Sequence, residues 1–319
     1  MVLVFVENNN GQFKKASFEA IQYASNINEN VTAVVLGEAQ NLESLGNYGA
    51  KKVLHCSDAR LNNFDAKAFS SAVFQAVEKE NAEIVIFSNN VTAKAIAPQV
   101  AAKLKAGLVV GAIELPKTDN GFTVKKNVFA GKAFATVSIL TSKKVITLTP
   151  NTFPISKSEN TANVETFTPS FSDNDFAIKV KAVHKSSGDI SLGDAELVVS
   201  GGRGLKGPEN WDMIEETAKL LGAGLACSRP VADSHWRPHH EHVGQTGGTI
   251  RPNLYIAIGI SGAIQHLAGV NGSKTIVAIN KDPEAPFFGA ADYGVLGDAF
   301  DIVPKLNEAL KKFKAAQNA

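Results

Sequence analysis

Sulfur is scarce in this chain: its 319 residues include two cysteines and two methionines. Cys56 and Cys227 lie far apart and alone. They form neither a disulfide framework nor a cysteine metal site, and they predict two buried free thiols in a reducing compartment. Excess charge of either sign is also missing. Lys and Arg number 32 against 31 for Asp and Glu, which argues against a nucleic-acid arm or a polybasic membrane patch. Nor is there an apolar run of the ~20 residues that a membrane-spanning helix needs, so no membrane insertion is expected. The opening "MVLVFVENNNGQFKK" has no basic leader and no small-residue cleavage site. No signal or transit peptide is expected from it, and the location inferred is cytoplasmic. The length exceeds what one hydrophobic core usually serves, and two domains are the prior.

What is present is an alternation of apolar runs with helical patterns. "VLVFVE", "VTAVVLG", "KKVLHCS" and "AEIVIFS" read as buried strands, separated by stretches such as "AKAFSSAVFQAVEKEN" with apolar residues at helical spacing. Such alternation predicts parallel βαβ units with right-handed crossovers. Residues 121–150 differ. Their β-branched runs, broken by Asn, Gly and Lys, predict antiparallel strands joined by short turns. Residues 155–195 are polar, with one strand candidate, "FAIKVKAVH". "HKSSGDISLGD" at 184–194 is the expected domain boundary and hinge. The division expected is 1–190 and 191–319.

A second alternation starts at Ala195, with strand candidates "AELVVSGG", "GAGLACSR", "LYIAIGIS", "TIVAINKD" and "YGVLGD". The fold class is therefore α/β: a parallel-sheet domain with an antiparallel segment, then a second parallel-sheet domain. Each of the five strands ends in small or polar residues, and open parallel sheets bind ligands beyond those ends. "SGGRGLKG" places Gly202, Gly204 and Gly207 in a dinucleotide-like spacing before a helix. Pro208 delays helix entry, however, and no acid for a ribose follows at the usual distance; a plain glycine turn fits equally well. "GISGAIQHLAG" predicts Ser261 as the cap of a short helix holding His266.

"HWRPHHEHVGQTGG", residues 235–248, holds four of the seven histidines. Pro238 interrupts the helical spacing of His235 and His239, and Glu241 is the one nearby carboxylate, so the pattern argues against a metal. His235, His239 and His240 are expected on an exposed wall.

Residues 254–298 resemble the alpha subunit of the electron transfer flavoproteins. The resemblance is carried by Tyr255, Ser261-Gly262, Ile264-Gln265-His266, Gly269, Ile276 and Ala278-Ile279-Asn280. "SGGRG" at 200–204, "CSRPVAD" at 227–233 and "VGQTG" at 243–247 flank them, and the opening strand matches more loosely. The resemblance implies one FAD on the second domain, and a first domain docked to a beta subunit that carries AMP. It further implies a redox carrier, not an enzyme, serving fatty acid beta-oxidation. Electrons would come from acyl-CoA and other dehydrogenases and pass to a membrane electron transfer flavoprotein-quinone oxidoreductase.

The cofactor-binding set so implied is Arg203, Ser228, Arg229, Val243, Gly244, Gln245, Thr246, Ser261, Gly262, Ala263, Ile264, Gln265, His266, Asn280, Asp298 and Ala299. His266 would donate toward flavin O2, Thr246 with Gln245 would face N5, and Arg229 beside Ser228 would supply a fixed cation near the ring. Arg203 and residues 261–266 would take the pyrophosphate and ribityl side, and Asn280 and Asp298 the ribose and adenine. On charge alone Arg229 should outweigh His266. Read from residues alone, two alternatives remain: a nicotinamide-dependent oxidoreductase using the glycine loop, and a non-catalytic nucleotide-binding protein.

Overall fold

The structure is a computed structural model that describes residues 1–9, 11–129, 131–182, 191–193 and 195–317. The chain forms two compact units, Met1–His184 and Lys185–Ala319. The expected boundary at 184–194 lies outside the described residues except for 191–193.

The first unit is built on β1 (Val2–Val6), a two-residue ribbon of β2 (Asn8–Asn9) and β3 (Gln12–Phe13), then β4 (Val31–Leu36), β5 (Lys52–Cys56) and β6 (Ile84–Ser88). It continues through β7 (Gly107–Ala112), β8 (Thr123–Val128), β9 (Ala133–Ser138), β10 (Lys144–Leu148) and β11 (Asn163–Thr166). Helices α1 (Lys15–Ile27), α2 (Ala66–Glu80) and α3 (Val91–Leu104) supply the crossovers. The sheet order is β11-β5-β4-β1-β6-β10-β7-β8-β9. Every residue of β1 and β4 is buried, because helices cover both faces of a parallel sheet and leave no side for polar residues. Asp65 starts α2 by accepting from the Lys67 and Ala68 amides, and Asn90 starts α3 by accepting from the Ala93 amide at 2.8 Å.

Two expectations need correction. β8 and β9 do form an antiparallel hairpin, but β10 pairs parallel with both β6 and β7. Its "VITL" holds no charged residue and is three-quarters aliphatic, and all four of those residues are buried. A central parallel strand makes that pattern; a hairpin edge such as the largely exposed β9 does not. "FAIKVKAVH" is no strand over its described part, and Ile178 and Val180 are exposed. The strand in that polar stretch is β11, an edge strand beside β5. Its Glu165 meets Lys79 at 2.5 Å and Lys52 at 3.6 Å, so charged pairing takes the place of apolar pattern.

The second unit is an all-parallel sheet of β12 (Leu197–Gly201), β13 (Gly224–Cys227), β14 (Leu254–Ile258), β15 (Thr275–Asn280) and β16 (Tyr293–Leu296). Its order is β13-β12-β14-β15-β16. Helices α4 (Asp212–Leu221) and α7 (Ala299–Gln317) pack on one face around Trp211, Ile214 and Val303. The short helices α5 (Arg229–Asp233) and α6 (Ile264–Val270) follow β13 and β14. The other face packs around Tyr255, Val243, Val270 and Phe287. The chain leaves β12 for α4 on one face and β14 for α6 on the other. Past the touching glycines at their start, the connections after β12 and β14 therefore part toward opposite faces, and a crevice opens there. Cys56 and Cys227 are buried free thiols.

Candidate functional site

A cleft of about 460 Å³ lies in that crevice, at the carboxyl ends of β12 to β15. Of the sixteen residues singled out in the sequence, it is lined by all except Gly262, Ile264, Asp298 and Ala299. Gly204, Pro230, His242, Gly259, Ile260 and Asp282 complete the wall.

Glycines let the loops meet. A Cβ on Gly202 would lie 2.2 Å from the Gly259 carbonyl oxygen. The Gly204 amide donates to that same oxygen at 3.0 Å. The glycine spacing here thus serves contact between two strand-end loops. Pro208 opens a short 3₁₀ turn, and α4 begins at Asp212, so no helix N-terminus follows the glycines directly. The loop 243–248 closes on itself through Gly248 N to His242 O at 2.8 Å. It is hooked to α6 by Gln245 N donating to Gln265 O at 2.7 Å. Gln245, Thr246 and Arg203 are exposed on the cleft wall.

Ser261 does not cap α6. The residue preceding the helix is Ala263, and no side chain caps it. Gly262, at φ +88°, turns the chain between them, and a Cβ there would lie 2.5 Å from the Phe287 nitrogen. Gly262 therefore serves packing, and Ser261 accepts the Phe287 amide through its carbonyl at 3.0 Å. Ile264 is exposed on α6. Asn280 donates to Ile260 O at 2.9 Å and accepts from the Asp282 amide at 3.0 Å, tying the ends of β14 and β15 together. Asp298 accepts from the Phe300 amide at 3.1 Å and opens α7. It and Ala299 follow β16, an exposed edge strand, outside the cleft lining.

Two groups carry the electrostatics. Arg229 is largely exposed, and its Nε donates to Asp233 at 3.2 Å. His266 is buried, and its Nε2 lies 2.8 Å from the Tyr255 hydroxyl. Its Nδ1 is buried without a hydrogen-bond partner. Burial, helped by nearby His242, pushes the His266 pKa down to about 4, so the ring is neutral near pH 7. Burial likewise lowers His242, with Arg229 and His239 adding to the effect. His235, His239 and His240 are exposed. Glu241 is buried and bound by Arg237 through two bonds of 2.7 Å. Among the described residues no three His, Cys, Asp or Glu side chains converge as metal ligands.

The His266 shift has a consequence for stability. An unfolded histidine titrates near 6.5 and the folded one near 4, so the unfolded chain takes up this proton first as pH falls. The contribution is fully present above about pH 6.5 and is lost as pH falls toward 4, by about 3 kcal/mol in all. Urea midpoints measured from pH 7 to pH 4 should fall more steeply for the parent chain than for His266→Gln. Parallel profiles would refute the assignment.

Sequence comparison supplies a context. The electron transfer flavoprotein domain matches residues 2–172, and the electron transfer flavoprotein FAD-binding domain matches residues 191–271. The chain is 37% identical to the electron transfer flavoprotein subunit alpha of Bacillus subtilis (strain 168), over 98% of this chain and 97% of that one. It is 36% identical to the subunit of the same name in Syntrophomonas wolfei, over 97% of this chain and 98% of that one. Identity to Protein FixB of Clostridium saccharobutylicum is 32%, covering 99% and 98%. Among the described residues no helix is long and apolar enough to cross a membrane. Matched by both domain families and by relatives along nearly its whole length, the chain belongs to the electron transfer flavoprotein alpha-subunit family.

Proposed function

We propose that this chain is the FAD-carrying subunit of a cytoplasmic heterodimeric electron carrier, with the cofactor held in the cleft of the second unit. The observation that carries the reading is the buried, partnerless Nδ1 of His266 in a cleft otherwise lined by strand-end loops. A buried polar atom without a partner is unfavourable, and a ligand heteroatom would complete it. A flavin when bound supplies one-electron and two-electron redox chemistry. His266 offers a neutral hydrogen-bonding nitrogen, Arg229 a fixed cation and Arg203 a second cation. The amides of Gly202, Gly204 and Gly259 are taken by backbone carbonyls, so a pyrophosphate would depend on the Arg203 guanidinium and the 261–266 segment. Thr246 and Gln245 would stand at the ring's N5 edge. Asp298 and Ala299 would meet only the far end of an extended cofactor, since they lie beyond the cleft wall. The first unit is assigned to docking a beta subunit carrying AMP. Acyl-CoA and other dehydrogenases would be donors, and a membrane quinone oxidoreductase the acceptor.

The test is the absorption spectrum of the chain co-purified with its beta subunit. Stoichiometric flavin supports the reading; a colourless stable complex refutes it. Stepwise reductive titration then ranks the two charge-stabilising groups. A hydrogen bond to a charged group is worth ~1.5–3 kcal/mol, about 65–130 mV for one electron. Replacing His266 by Ala should lower the first-electron potential by roughly this range. Arg229→Ala should lower it less, because solvent and Asp233 screen the exposed guanidinium. That order reverses the one expected from charge alone. A larger fall for Arg229→Ala would refute the screening argument.

A further inference from the structure

Tyr255 lies outside the cleft lining and is fully buried beneath it. Its hydroxyl oxygen is 2.8 Å from His266 Nε2. Phe287 braces both rings: it stacks on Tyr255 at 6.2 Å and 16° and meets His266 edge-on at 5.7 Å. The Phe287 backbone is in turn pinned to Ser261. The imidazole thus has one fixed orientation, and what remains to be settled is which nitrogen carries its proton.

We propose that Tyr255 is a positioning residue that donates its hydroxyl proton to His266 Nε2, confines the ring proton to Nδ1, and so makes His266 a donor toward a cofactor in the cleft. The proposal rests on the flavin reading of the cleft. A neutral imidazole has one donor and one acceptor nitrogen, and the bond made by one decides the role of the other. Burial keeps the imidazole neutral and keeps the phenol protonated. The Ser200 hydroxyl adjoins the phenol and has no other partner; it acts on the phenol as a donor, a contact that by itself lowers the phenol pKa, which leaves Nε2 as the acceptor for the phenol's own proton. Nδ1 then bears a hydrogen with no protein acceptor. A donor held ready in a buried site strengthens as negative charge develops on its acceptor. Without the hydroxyl, the ring proton is free to move to Nε2, and Nδ1 becomes an acceptor facing the same charge.

The experiment uses the full chain co-purified with its partner subunit and labelled with 15N-histidine, with His266→Gln to assign the signal. In the parent protein, with and without flavin, Nδ1 should be protonated and Nε2 bare. In Tyr255→Phe the proton should redistribute toward Nε2. Flavin content should be unchanged, while the first-electron equilibrium falls about tenfold, equivalent to 59 mV. A parent protein protonated at Nε2 overturns the proposal even if Tyr255→Phe fails to fold. A tautomer change without any change in potential overturns the cofactor-directed role. A parent protein that holds no flavin sinks the flavin reading, and the tautomer signal still decides the Tyr255–His266 assignment by itself.

Discussion

Replacing Gly259 by alanine is expected to empty the second unit of its cofactor while the first unit stays folded. Gly259 sits at φ +63°, where a Cβ is strained, and that Cβ would lie 2.9 Å from Gly204 Cα and 3.2 Å from its carbonyl carbon. The contact is reciprocal: a Cβ on Gly204 would lie 2.7 Å from Gly259 Cα. Both neighbours are backbone, so neither side chain rotation nor a small rotamer shift relieves the clash. The loops after β12 and β14 must separate, which breaks the Gly204 N to Gly259 O bond and opens the floor of the cleft. Left-handed strain and overpacking each cost roughly 1–3 kcal/mol. The flavin-to-protein ratio and the urea midpoint should both fall, with most secondary structure retained at low denaturant. Full flavin occupancy at an unchanged midpoint would show that the two loops do not need their contact.

Arg237→Met should produce the second large effect. The guanidinium makes a two-bond fork to buried Glu241, reaches Glu215 on α4 at 2.5 Å, and lies over the Trp211 ring at 5.6 Å. It therefore ties the histidine-bearing segment to the helix behind the sheet. Losing it leaves the Glu241 carboxylate, 6% exposed, without its counter-charge. Breaking a buried pair costs about 3–5 kcal/mol; with Arg237 itself one-fifth exposed, roughly 2–3 kcal/mol is expected. Glu241→Met placed in the same chain should recover much of the loss, because the orphaned charge is then gone. Equilibrium unfolding of the two single variants and the double variant at pH 7 measures this. A single-variant cost below about 0.5 kcal/mol, the level of an exposed pair, would contradict the burial argument.

The strand ends of the second unit were legible in the sequence because central parallel strands read as apolar runs closed by Gly, Ser, Asn or Asp. That pattern located the ligand side of the sheet; Arg203, Ser228, Arg229, Ser261 and Asn280 were singled out there by the family resemblance. The glycine spacing was legible but its purpose was not: the partner of Gly202 and Gly204 is Gly259, more than fifty residues on, and only folding brings them together. Gly262 belongs to the family signature through packing against Phe287 and not through the cleft wall. Asp282 was missed although "NKDP" places an acid two residues beyond Asn280, a signal the strand-end rule could have used. The Arg237–Glu241 fork was hidden because Pro238 breaks the helical pattern that makes an i,i+4 pair visible. β11 was hidden because an edge strand held by lysines and glutamates has no apolar period. Tyr255 stood in the family signature with no role attached, and only its distance to His266 gives it one.

The scarcity of cysteine now has a practical consequence. Cys56 closes β5 in the first unit and Cys227 closes β13 in the second. Burial raises both thiol pKa values, that of Cys227 to about 12, so neither is a thiolate near pH 7 while its sheet is intact. Each unit therefore carries one silent chemical clock. Pulsed alkylation followed by mass analysis would time the opening of each sheet separately in one sample, with no label introduced. Cofactor loading should slow the Cys227 clock, whose strand end leads into the cleft, and leave the Cys56 clock running at its own rate.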